Sequence, residues 1–127
     1  MGEPKFLTLT EVYFLHDESL ARFGGSAGVR DPGLVASALA SAENTYWYGH
    51  GTVFEIASAY AFHLAESQAF LDGNKRTATA AAIMFLRING FSFLRDDGTL
   101  YKAVIDIASK KLDKPGLAKV LHQLSRS

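Results

Sequence analysis

Apolar residues recur at three- and four-residue spacing along nearly the whole chain, the period of helices with one buried face. Thr8-Leu9-Thr10-Glu11 reads as a capping box, and the first helix is expected from there to about Phe23, where Gly24-Gly25 stops it. After a loop over residues 26–30, Asp31-Pro32 is a second start signal, a carboxylate cap followed by proline at the first helical position. The second helix is expected to reach about Asn44, with Leu34, Ala38 and Ala42 on one face and Val35 and Leu39 beside them. Thr52-Val53-Phe54-Glu55 repeats the capping box and opens a third helix to about Gln68, with Phe54, Ala57, Ala61, Leu64 and Ala65 inward.

A fourth helix is expected from Asn74 to about Asn89. Its run Ala78-Thr79-Ala80-Ala81-Ala82-Ile83-Met84-Phe85-Leu86 is apolar nearly all round, which suits a buried central helix. Gly90 ends it, and Phe91-Ser92-Phe93-Leu94 reads as a short extended connector. The fifth helix is expected from about Thr99 to Leu112, with Leu100, Val104, Ile107 and Ala108 inward. A sixth, capped by Asp113, runs from Pro115 to about Leu124. The expectation is an all-α, single-domain bundle of about six helices around a buried central helix, spanning residues 1–127. Tyr46-Trp47-Tyr48-Gly49-His50-Gly51 is left between the second and third helices as an aromatic loop. Its rings either cover the core edge or offer a contact surface.

Composition narrows the function classes. The 127 residues suffice for one core. Thirteen Lys and Arg balance thirteen Asp and Glu, so the basic excess of a nucleic-acid binder is missing. With no cysteine, disulfides and thiolate metal sites are excluded, and a cytoplasmic protein is the expectation. No apolar run approaches the ~20 residues of a membrane-spanning helix, and no signal peptide is evident.

The candidate chemistry lies in Gln68-Ala69-Phe70-Leu71-Asp72-Gly73-Asn74-Lys75-Arg76-Thr77, between the third and fourth helices. A carboxylate such as Asp72 can hold Mg²⁺, which keeps substrate phosphates in its shell. Gly73 lets backbone approach an anion. A helix opening near Asn74 aims its free N–H groups and positive dipole end at that anion, and Lys75 and Arg76 add fixed charge. Taken singly, these residues are also ordinary turn and capping signals.

Phe70-Leu71-Asp72-Gly73-Asn74-Lys75-Arg76-Thr77 closely resembles the signature of the Fic/Doc family, and of its Doc (death-on-curing toxin) branch in particular. That branch reads His-x-Phe-x-Asp-Gly/Ala-Asn-Lys-Arg-Thr. The Fic branch has glycine where this chain has Lys75 and a further arginine where it has Thr79. Leu15-His16-Asp17, Arg22-Phe23-Gly24-Gly25 and Asp31-Pro32-Gly33 resemble the N-terminal part of Doc-like toxins, so the likeness runs from about residue 9 to about residue 90.

The resemblance implies an all-α fold and the toxin of a toxin–antitoxin pair. Such a toxin is a cytoplasmic, ATP- and Mg²⁺-dependent kinase that inhibits translation by phosphorylating a hydroxyl of a translation factor, elongation factor Tu being the known type of target. Carried onto this chain, it makes Asp72 the metal ligand and Phe70 a buried anchor. Gly73, Asn74, Lys75 and Arg76 become the nucleotide-binding residues, with Arg76 also catalytic. The family's base, a histidine, falls at Gln68, and an amide has no titratable group near neutral pH. Gln68 fits an active variant that orients a hydroxyl, a member that binds nucleotide or partner without turnover, or an inactivating substitution. AMP transfer is the other alternative, disfavoured by Lys75 and Thr79.

His63 is five residues before Gln68, which turns it about 140° away on one helix. It reads as a packed or partly exposed helix residue. His16 reads as structural, His50 as a loop residue and His122 as exposed. The Ser/Thr-x-x-x-Glu-Gly/Asn restraint of Fic-type enzymes is not matched, because Leu39 stands at the hydroxyl position before Glu43-Asn44. Restraint is therefore expected from a separate antitoxin chain whose helix docks in a groove. No direct nucleic-acid or membrane partner is expected.

Overall fold

Thr8 caps the first helix in both directions. Its hydroxyl accepts from the Glu11 N–H at 3.1 Å, and the Glu11 carboxylate accepts from the Thr8 N–H at 2.8 Å. In the computed structural model, which describes residues 2–93 and 98–126, α1 then runs Leu9–Phe23 and stops at Gly24, whose φ of 81° suits glycine. Asp31 accepts from the Gly33 N–H at 3.0 Å and, with Pro32 in the first turn, starts α2 at Pro32–Trp47.

The second helix outruns its expected end at Asn44. Tyr46 and Trp47 are helical rather than part of a loop, because no breaker precedes Gly49 and Phe6 packs on both rings at 6.0 and 6.1 Å. Tyr46 is half-buried at the core edge, whereas Tyr48 is 82% exposed.

The Thr52–Glu55 capping box opens α3, Val53–Ser67, as expected. α4 is Asn74–Ile88, and β1, Ser92–Phe93, pairs antiparallel with β2, Ser125–Arg126. Leu94, expected to extend that connector, lies outside the described residues. α5 is Thr99–Ala108, shorter than the expected run to Leu112. Ser109 Oγ bonds back to the Ile105 carbonyl at 2.9 Å, and Lys110 turns left-handed at φ 63°, which closes the helix early. Asp113 caps α6, Lys114–Leu124, through the Gly116 N–H at 2.8 Å.

These six helices of the described residues form an all-α bundle. Its most enclosed member is α3, not α4 as the apolar run around Ala80 suggested. α3 packs on α2, α4, α5 and α6, and its residues Ile56, Ala57, Ser58, Ala59, Tyr60 and Ala61 are all buried. α4 packs on α1, α3 and α5 and buries one face through Thr77, Ala78, Ala81, Ala82, Phe85 and Leu86. Lys75 and Arg87 keep its other side in solvent. Alanines on both α3 and α4 allow a close approach, so α4 is held along its length. Its N-terminus is thereby a fixed point.

Two polar groups of α3 are tuned by this packing. Tyr60 is fully buried, and its hydroxyl oxygen accepts from the Leu7 N–H at 3.0 Å. Burial pushes that hydroxyl well above its ordinary pKa. His63 is half-buried with its Nε2 3.4 Å from Lys114 Nζ. Burial first, and the Lys114 charge second, hold its pKa below the usual histidine value.

Replacing Tyr60→Phe leaves the buried Leu7 N–H without its partner, and a loss of about 1–3 kcal/mol is expected as a lower urea midpoint at pH 7. The raised Tyr60 pKa means that its stabilisation is intact below the unfolded value of about 10 and falls as pH rises further, and Tyr60→Phe flattens that alkaline fall. The lowered His63 pKa acts in the opposite direction. Its stabilisation is intact above the unfolded value of about 6.5 and is lost as pH falls, so His63→Gln is expected to flatten the acid limb of the same urea titration.

Candidate phosphate-binding site

α3 ends at Ser67, and Gln68 takes a left-handed conformation with φ 50° and ψ 45°. That reversal sends Ala69 and Phe70 into the core, at 0% and 2% exposure, and returns Leu71 and Asp72 to the surface. Neighbouring backbone fixes the loop. The Ala69 carbonyl accepts from the N–H groups of Arg30 and Asp31 at 2.7 and 3.0 Å, and the Leu71 N–H donates to the Gly28 carbonyl at 3.1 Å. Val29 and Phe70 thus form an isolated antiparallel bridge. Glycine at 25 is required twice over, because φ is 122° and a Cβ there would meet Asp72 Oδ2 at 2.8 Å.

Two side chains lock the turn from inside. Asn74 Oδ1 accepts from the Phe70 N–H and Asn74 Nδ2 donates to the Phe70 carbonyl, each at 3.0 Å. Its amide therefore closes the loop, and what Asn74 turns to the first helical turn is its backbone N–H. His16, 3% exposed on α1, stacks on the Phe70 ring at 3.8 Å and bonds through Nε2 to the Asp72 carbonyl at 2.9 Å. An Nε2–H tautomer donates in that contact. His16 is structural, as expected, but its place is directly beneath the motif.

Asp72 is exposed at the mouth. One carboxylate oxygen accepts from the Gly73 N–H at 2.9 Å and the other from the Ser26 N–H at 3.2 Å, which leaves a lone pair on each. Gly73, at φ 79°, precedes α4, and no side chain caps the helix. The first N–H to find a helical carbonyl is that of Thr77, 2.9 Å from the Gly73 oxygen. The N–H groups ahead of it face outward with the positive end of the dipole behind them.

Asp72, Gly73, Asn74, Lys75 and Arg76 line one open cleft of about 430 Å³, a volume within the range of ligand sites. Phe23 and Tyr101 complete its wall, and the Arg76 guanidinium carbon lies 3.9 Å from one ring centre and 3.8 Å from the other. A larger groove of about 510 Å³, between α3 and the α5–α6 turn, is lined by Lys110, Lys111, Glu66 and Asp113 and gathers no comparable donor set.

Gln68 stays exposed and is not part of the cleft wall. No other histidine takes its place. His50 is on the loop after α2, His63 faces Lys114, and His122 stacks on the Phe54 ring at 4.4 Å. Among the described residues no three His, Asp or Glu cluster around a metal position. The donor set instead fits a Mg²⁺–phosphate pair, in which one carboxylate suffices because phosphates and water supply the other ligands. The wall residues that sequence reasoning did not single out are Ser19, Phe23 in this role, and Tyr101. No spacing signal connects Tyr101 on α5 to a motif on α4.

A family model for the Fic/DOC family matches residues 6–86. The chain is also 31% identical over 115 residues, 90% of either chain, to a protein of Escherichia phage P1 named Protein kinase doc. It is 44% identical over 77 residues, 58% of either chain, to a protein of Mycolicibacterium smegmatis named Toxin Doc. The matched region contains α1 through most of α4 and with them the whole Asp72–Arg76 cradle, and on these grounds the chain belongs to the Fic/Doc family, on its Doc side.

Proposed function

We propose that this protein is the toxin of a toxin–antitoxin pair and transfers the γ-phosphoryl group of Mg²⁺–ATP to a hydroxyl of a translation factor such as elongation factor Tu. The observation that carries the proposal is the uncapped N-terminus of α4, flanked by Asp72, Lys75 and Arg76 around one cleft. The kinase and toxin names of its relatives support the choice of reaction and the expectation of an antitoxin.

In this reading the first-turn N–H groups and Lys75 grip the phosphate chain, and Arg76 places its donors on the oxygens that gain charge during transfer. Asp72 is the protein ligand of the magnesium ion, which neutralises phosphate charge. The target hydroxyl attacks the γ-phosphorus, the bond to the β-phosphate oxygen breaks, and ADP leaves. The hydroxyl proton must pass to water or to the product phosphate, since Gln68 cannot accept it. General-base help is typically worth ~10²–10⁴ in rate, whereas positioning and electrostatics carry most of phosphoryl transfer. The cradle is therefore consistent with slow turnover. The exposed Gln68 also supports a second reading, a nucleotide- or partner-binding module without turnover.

Incubation with elongation factor Tu and ATP labelled at the α- or the γ-position separates the readings. Label from γ is expected, and Gln68→His is expected to raise its rate by about 10²-fold or more. Histidine tolerates the left-handed backbone at that position. Label from α would replace this reading with AMP transfer. No label from either protein form, with Mg²⁺–ATP still bound in calorimetry, would leave the binding module. Asp72→Ala and Arg76→Ala are each expected to abolish the γ-label.

A further inference from the structure

Arg76 is held in an unusual way for a phosphate ligand. Its guanidinium is sandwiched between the Phe23 ring at 3.9 Å and the Tyr101 ring at 3.8 Å. Among the described residues no carboxylate pairs with it and no side-chain N–H of Arg76 is taken by an acceptor. Phe23 is the last residue of α1 and is 54% exposed, and Tyr101 is in the first turn of α5. Neither ring position follows from core packing alone, since both stand in the wall of the cleft.

A guanidinium is a flat cation with five N–H donors around its edge and none on its faces. Aromatic faces attract it through their quadrupole and cover only its faces. A carboxylate partner would instead occupy two edge donors and neutralise the charge. The sandwich thus restricts a long side chain without consuming any group that a phosphate needs. We propose that Phe23 and Tyr101 are positioning residues, an aromatic clamp that presents the donor edge of Arg76 to the phosphate chain of the nucleotide. This deepens the reading of the cleft as a nucleotide site and rests on it. Neither ring touches a reacting atom. Each acts through Arg76.

A double-mutant cycle read by calorimetry with Mg²⁺–ATP tests the clamp. Tyr101→Leu is expected to weaken binding about three- to tenfold, and Tyr101→Phe, which keeps the ring, to restore it. In an Arg76→Ala background Tyr101→Leu is expected to add nothing, because the ring then has no cation to orient. Phe23→Leu, at an exposed position, is expected to follow the same pattern and guards against loss of fold in the Tyr101 variant. In nitrogen-15 spectra the Arg76 Nε–H resonance is expected upfield, shifted by the two rings, and to move back in Tyr101→Leu. Full affinity in both leucine variants would overturn the clamp while leaving the nucleotide site intact. So would an undiminished Tyr101→Leu effect in the Arg76→Ala background, which would mean that the ring acts without the arginine. Absence of Mg²⁺–ATP binding by the unaltered protein would instead remove the site itself, and the clamp with it.

Discussion

The Asn74 side chain, bonded at both ends to the backbone of Phe70, is the constraint on which the site depends. It forces the chain leaving α3 into one compact turn, so that an apolar ring drops into the core one position before two surface residues. The amide satisfies one buried N–H and one buried C=O that no secondary structure would otherwise pair. Because the same residue begins α4, the closure of the turn and the placement of the helix N-terminus are a single event. His16 completes it from below by stacking on Phe70 and holding the Asp72 carbonyl.

From that turn outward, each layer of the molecule supports the next. Alanines bring α3 and α4 together and make the helix axis rigid. The rigid axis fixes the direction of the uncapped N–H groups. Glycines 25 and 28 let the segment after α1 come within bonding distance of the motif, and Asp72 is then steadied by two N–H donors while staying in water. In the proposed reading such a cleft needs no rearrangement to receive a phosphate, and preorganisation of this kind is where phosphoryl-transfer proteins obtain most of their rate. Gln68 is placed by the same turn but outside the cleft wall. The cleft lined by Asp72, Lys75 and Arg76 forms without it, so the proposed phosphate site and the position of the family's base are separate places in this fold.

How much of this could be read beforehand depended on the range of the interaction. Thr8 with Glu11, Thr52 with Glu55, Asp31 with Pro32 and Asp113 with Gly116 are contacts between residues two or three apart or less, and each helix start followed from them. The ends were less legible. α2 ran on through Trp47 because Phe6, some forty positions away, packs on its last turn, and α5 stopped early because Lys110 found a left-handed turn. The first signal is not local, and the second is local but carried by a lysine, a residue type that does not announce a left-handed turn. The same distinction explains why α3 rather than α4 became the most enclosed helix. Both are rich in alanine, and only the arrangement of four neighbours around α3 decided between them.

The sequence by itself determined the order of carboxylate, glycine, amide and cations before Thr77, and so the chemistry of the cleft, because a helix start is written in consecutive residues. Tertiary structure alone decided that the Asn74 amide turns inward, that His16 lies under Phe70, and that Arg76 rests between rings from α1 and α5. Those contacts join residues with no common period or motif. Their energy exists only once the helices have packed, and no local pattern encodes it.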